Sequence, residues 1–193
     1  MEELTTYDGT VHSIIFQNQE NGYTVLRLLT EEGEVITVVG CIPCVAPGEH
    51  LAVSGVPETH PQHGEQLRAV ELERSLPEDE EEIFSYLSSG ICKGVGPATA
   101  RRIVERFGAE TLDVLEREPE RLTTLKGVTA RKAQEIAESF RQHMGLRRLM
   151  AFLAQYQLPP VLAMELRRQY GDAALELSLI HLSEPTRRRG ISY

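Results

Sequence analysis

The chain has 193 residues, 41% apolar and 25% charged, with a formal net charge of −9. That is enough for one or two small packed domains, and the composition excludes a disordered or fibrous protein. No apolar run reaches the ~20 residues of a membrane-spanning helix, and the start MEELTTYDG lacks the basic and apolar regions of a signal peptide, so a cytoplasmic location is expected.

The first half reads as β. Candidate strands are TVHSIIFQ (10–17), YTVLRLLT (23–30), EVITVVGC (34–41), HLAVSGV (50–56) and EQLRAVELER (65–74), separated by the turn-forming NQENG, EEG, APGE and HPQHG. Five short strands at this spacing predict a small closed barrel of the oligonucleotide-binding (OB) type, with a split SH3-like barrel as the competitor. Such barrels grip single strands with basic grooves and stacking aromatics. This one offers Arg27, Arg68 and Arg74 with Tyr7, Phe16 and Tyr23, against 17 acidic residues in positions 1–82, which favours docking or scaffolding. The pair Cys41 and Cys44 in CIPC has no second CxxC to complete a zinc site, and His60 and His63 in HPQHG read as turn residues. No metal is expected.

The charge divides along the chain. Residues 1–82 carry 17 acids and 3 bases; residues 83–193 carry 12 acids and 17 bases. Such asymmetry points to a nucleic-acid surface on the second half, although two ordinary solvated faces would produce it too. The boundary falls in LPEDEEEI, an acidic linker running into a helix start, where acids suit the macrodipole.

The second half reads as helices, and it repeats. GVGPATARRIVERF (94–107) aligns with GVTARKAQEIAESF (127–140) at a 33-residue offset. In both copies apolar residues fall at i, i+3, i+4 and i+7: Ala100, Ile103, Val104 and Phe107, then Ala133, Ile136, Ala137 and Phe140. EIFSYLSS leads into the first turn; TLDVLERE and the Pro119-led PERLTTL lead into the second. Helix, glycine turn, helix, twice over, resembles the tandem helix-hairpin-helix motif.

The turn chemistry suits phosphate. Gly94 and Gly96 can adopt positive φ, and Pro97 fits the first helical position. Backbone N–H groups around Gly94, Gly96, Ala98 and Thr99 are then candidate phosphate donors, with Lys93, Arg101 and Arg102 as charge. In the weaker second copy Thr129 replaces Gly96, while Lys126, Gly127, Arg131 and Lys132 complete the candidate set. Contacts of this kind follow the DNA backbone without reading sequence and are salt-sensitive. The alternative for each turn is a plain interhelical connection. A third helix pair, within 146–177, has the glycine-free turn QLPP and reads as structural.

The order of GTVHSIIFQNQENGYTVLRL, VVGCIPCVAPGEHLAVSG, HPQHGEQL and YLSSGICKGVGPATARRIVERFGAETLDVLEREPERL resembles the N-terminal region of the RecD-like ATP-dependent DNA helicases in their long bacterial form. The resemblance covers roughly residues 7–177. It implies a superfamily 1B helicase moving 5′ to 3′ on single-stranded DNA, whose barrel and hairpins precede two RecA-like motor domains. ATP and magnesium are implied for the full-length family. Two positions depart from the pattern: Pro57 stands in place of a large aromatic, and Cys92 in place of an aliphatic residue.

No G-x-x-x-x-G-K-[ST] loop occurs in the 193 residues, so no cofactor is expected in this chain and no ATPase activity from it alone. The end, SLIHLSEPTRRRGISY (178–193), fits nothing before it; it resembles translated adapter sequence, so a sequencing artefact and a truncated product are expected, the competitor being a basic tail.

The resulting expectation is an α+β chain: an OB-like barrel (1–76), an acidic linker (77–82), a tandem helix-hairpin-helix domain (83–145), a degenerate third helix pair (146–177) and the atypical tail. Its expected partners are single-stranded or forked DNA in DNA repair or recombination, the missing motor domains, and a single-strand-binding or repair protein, with no membrane. Two alternatives stand beside it: a self-contained junction-binding protein resembling RuvA, and a protein-docking scaffold without DNA contact.

Overall fold

The computed structural model describes residues 3–176. Five strands form: β1 (Thr5–Gln17), β2 (Tyr23–Thr30), β3 (Val35–Cys41), β4 (His50–His60) and β5 (Gly64–Ser75). β2 shows the cause. Thr24, Leu26, Leu28 and Thr30 are buried while Tyr23, Arg27 and Leu29 are exposed, so the period of two gives the strand one inward face.

Antiparallel ladders join β1 to β2, β2 to β3, β4 to β5 and β1 to β4, and a short parallel contact, Val38↔Leu67 and Val39↔Arg68, joins β3 to β5. The sheet therefore closes in the order β1-β2-β3-β5-β4, an OB-like barrel. Register irregularities at Val11/Ser13 and Ile14/Phe16 let β1 bend around it. Val11, Leu26, Leu28, Val38, Leu51, Val53 and Leu67 fill the interior, with Ile42 and Val45 added from the β3–β4 connection. Pro57 lies in the part of β4 that extends beyond the β1 ladder and pairs with β5 alone, where a missing N–H is tolerated.

A buried ion pair fastens the same connection. Glu49, fully buried, accepts from the Ala46 N–H at 2.7 Å and from Arg74 Nη2 at 3.1 Å, while Arg74 Nη1 donates to the Pro43 carbonyl at 2.8 Å.

Helix α1 (Glu80–Ser88) starts on Asp79, whose side chain accepts from the Glu82 N–H. The segment expected as a linker thus contains the first turn of α1, and that turn touches the barrel. Thr10 Oγ1 donates to Glu82 Oε1 at 3.2 Å, His50 Nε2 lies 2.7 Å from Glu82 Oε2, and Gly48 abuts the Glu82 main chain.

Then come α2 (Pro97–Phe107), a 3-10 turn (Gly108–Glu110), α3 (Thr111–Arg117), a second 3-10 turn (Pro119–Thr124) and α4 (Ala130–Ala154). Both expected apolar stripes are buried, from Ala100 to Phe107 and from Ala133 to Phe140. PERLTTL forms the 3-10 turn rather than an α-helix, because Glu118 at φ −132°, ψ 50° breaks the chain just before Pro119. α4 runs 25 residues unbroken, so the second copy's second helix and the expected first helix of the third pair are one element.

Residues up to Phe140 form one compact unit and those from Arg141 a second. In the second, α5 (Val161–Tyr170) follows a turn with Gln157 at φ +58°, and Gly145 leaves room for Leu175, whose Cδ1 would lie 3.1 Å from an added Cβ. The tail 178–193 lies outside the described residues.

Candidate nucleic-acid interface

The two hairpin turns share one geometry. Lys93-Gly94-Val95 and Lys126-Gly127-Val128 hold their glycines at φ +86° and +85°. They close with matching hydrogen bonds, Val95 N–H to the Cys92 carbonyl at 3.2 Å and Val128 N–H to the Leu125 carbonyl at 3.1 Å. Each valine is buried and each lysine exposed, so the turn plugs into the core while its polar rim faces water. The left-handed φ is what makes glycine necessary at 94 and 127.

The helix starts that follow differ. α2 begins on Gly96 with Pro97 in its first turn, and no side chain caps it. Gly96 itself sits at φ −93°, not at the positive φ expected of it; what glycine supplies there is openness, since nothing lies within 4 Å of an added Cβ. The N–H groups of Ala98 and Thr99 thus meet no capping side chain. At the equivalent start of α4, the Thr129 hydroxyl accepts the Lys132 N–H at 3.2 Å and fills a donor the first hairpin leaves open. The first helix start therefore leaves more of its N–H groups without a capping side chain than the second.

The expected cationic groups divide. Lys93 and Lys126 carry their ammonium groups on exposed positions beside the turns. Arg131 is exposed, with Glu135 Oε1 at 3.4 Å, and Lys132 is half-buried. Arg101 turns back: its Nη1 donates to Glu81 Oε1 at 3.0 Å and its guanidinium lies 3.7 Å over the Phe84 ring. Arg102 donates Nη1 to the Lys126 carbonyl. Sequence reading missed Glu81 and Phe84, and also Ser139, whose Oγ accepts the Lys93 N–H at 2.8 Å. No spacing rule could have found partners so distant in the chain. Cys92 is buried under the first turn, and burial pushes its thiol up to about 12, so it is a packing group.

Among the described residues no group of side chains fits ATP. The glycine turn is an interhelical hairpin without the G-x-x-x-x-G-K-[ST] pattern, and no step is assigned to nucleotide.

Comparison with known proteins follows this division. Residues 3–77 match the OB-fold domain of the ATP-dependent DNA helicase YrrC, and residues 84–142 match the SAM-like helix-hairpin-helix tandem. The chain is 30% identical over 192 residues to the ATP-dependent RecD2 DNA helicase of Deinococcus radiodurans, covering 96% of this chain and 27% of that protein. It therefore spans about a quarter of the relative's length. Two domain matches in this order, with an alignment over almost the whole chain, support an N-terminal RecD-like helicase region.

Proposed function

We propose that this region holds the DNA sugar-phosphate backbone through its first helix-hairpin-helix turn, serving a RecD-like 5′-to-3′ ATP-dependent helicase in repair or recombination. The observation that carries the reading is the uncapped start of α2 on Gly96, beside the exposed Lys93. Open N–H donors, the helix dipole and a lysine together make an anion site. Gly94, Gly96, Ala98 and Thr99 supply main-chain groups. Lys93, with Lys126, Arg131 and Lys132 on the second copy, supplies charge, whereas Arg101 and Arg102 are engaged within the protein. Single-stranded or forked DNA, without sequence preference, is the substrate class; the motor that would use ATP and magnesium, and a single-strand-binding or repair protein, are the proposed partners, in the cytoplasm.

The barrel takes a different part. Its surface carries most of the acidic excess, and it exposes Phe16 and Tyr23, with ring centroids 6.4 Å apart, beside Ile15. That combination supports protein docking rather than a strand groove.

The test is fluorescence anisotropy of labelled single-stranded and forked DNA across a salt series. Binding that weakens steeply with salt, and falls when Lys93→Glu is introduced, supports the reading. No salt-dependent binding, or indifference to Lys93→Glu, leaves the docking scaffold as the function.

A further inference from the structure

The two turns are tied to each other reciprocally. Arg102, on the helix after the first turn, donates to the Lys126 carbonyl in the second turn. Ser139, on the helix after the second turn, accepts the Lys93 N–H in the first, at 2.8 Å. Each turn is thus held by the helix that follows the other one.

The Arg102 contact fixes more than a carbonyl. In a trans peptide the C=O and the next N–H point in opposite directions. Anchoring the Lys126 carbonyl on Arg102 therefore aims the Gly127 N–H away from Arg102. Gly127 also lies close enough that an added Cβ would sit 4.0 Å from Arg102 Nη1, so the guanidinium lies against both residues of the turn.

We propose that Arg102 is a positioning residue that couples the two hairpin turns into one backbone grip and does not itself meet phosphate. The inference rests on the DNA-binding reading. Once one turn has engaged a strand, a fixed second turn meets the next phosphate as an intramolecular event, which raises effective concentration without any new contact. A guanidinium spent on a main-chain carbonyl is then more useful than one spent on a phosphate.

Two measurements on the whole chain test this. In the free protein, amide hydrogen exchange of Val128, whose N–H bonds to the Leu125 carbonyl, is compared between wild type and Arg102→Met, which keeps the aliphatic stem. Exchange at this amide is expected to quicken roughly two- to tenfold, the worth of one net hydrogen bond, while the Val95 amide of the first turn stays unchanged. In DNA titrations, Arg102→Met and Lys126→Ala are combined, and the double variant is expected to bind no more weakly than the weaker single variant. Unchanged exchange at Val128, or losses that add in the double variant while the salt slope falls by about one for Arg102→Met, overturns the proposal and makes Arg102 a phosphate ligand. If the wild type binds no DNA, the functional reading fails and the exchange result alone decides whether Arg102 braces the turn. Should Arg102→Met fail to fold, Arg102→Ala gives the same comparison.

Discussion

His50 Nε2 lies 2.7 Å from Glu82 Oε2, joining the fourth strand of the barrel to the first turn of α1. Burial works to raise the Glu82 pKa, but the hydrogen bond and charge of His50 and the main-chain N–H donors nearby outweigh it, and the carboxyl sits below its ordinary 4.5. A carboxylate lowered on folding stabilises the protein above its unfolded value, and that contribution is lost as pH falls through the folded value. Urea unfolding should therefore show Glu82→Gln less stable than wild type at pH 7 by about 1 kcal/mol or less, given the partial exposure of His50. The difference should shrink progressively as pH falls below about 4.5, through the lowered folded value.

Gly48 faces the same turn. At φ +90° an added Cβ would lie 2.3 Å from the Glu82 carbonyl oxygen, so both the backbone and the junction resist a side chain. Gly48→Ala is expected to lower stability by about 2 kcal/mol or more, read as a shift of the thermal midpoint.

Glu49, at the end of the β3–β4 connection, forms a buried pair with Arg74 of β5. Arg74→Met leaves the carboxylate buried without its guanidinium and should cost about 3–5 kcal/mol, whereas Glu49→Gln with Arg74→Met should recover a substantial part of the loss. Equilibrium denaturation of wild type, Arg74→Met, Glu49→Gln and the double variant, compared as a cycle, decides the point.

The elements were legible in the sequence wherever local periodicity sets the outcome. Alternation in β2 and the i, i+3, i+4, i+7 stripes around Ile103 and Ile136 are properties of neighbouring residues, and a core buries them in only one way. The hairpins were legible through their repeat. What stayed hidden was non-local: Glu82 against His50, Glu49 against Arg74, and Arg101 folded back onto Phe84 join residues that no periodicity links. The same holds for the charge of the site, where two of the three arginines and lysines nearest the first turn proved to have partners within the protein.

Thr129 and Gly96 occupy equivalent helix starts with opposite consequences. Thr129→Gly should free the Lys132 N–H at a stability cost of a few tenths of a kcal/mol, and tighten DNA binding roughly two- to tenfold. Gly96→Thr should act in reverse, weakening binding while leaving the fold intact. Anisotropy titrations at one fixed salt concentration read both.

Cys92 should resist alkylation. With its thiol raised to about 12 and its side chain buried, iodoacetamide at neutral pH should leave it unmodified while the exposed Cys41 reacts. Peptide mass mapping after timed labelling separates the two.

Closure of the barrel limits how anything can dock on it. With β3 paired to β5 and β1 to β4, each described strand has a neighbour on both sides over part of its length, so a passing peptide meets a free edge only on stretches outside those short ladders, such as 57–60 of β4 on its β1 side. Recognition by strand addition is thereby confined to those stretches. Elsewhere the barrel presents side chains, an excess of glutamates among them together with the exposed Phe16 and Tyr23.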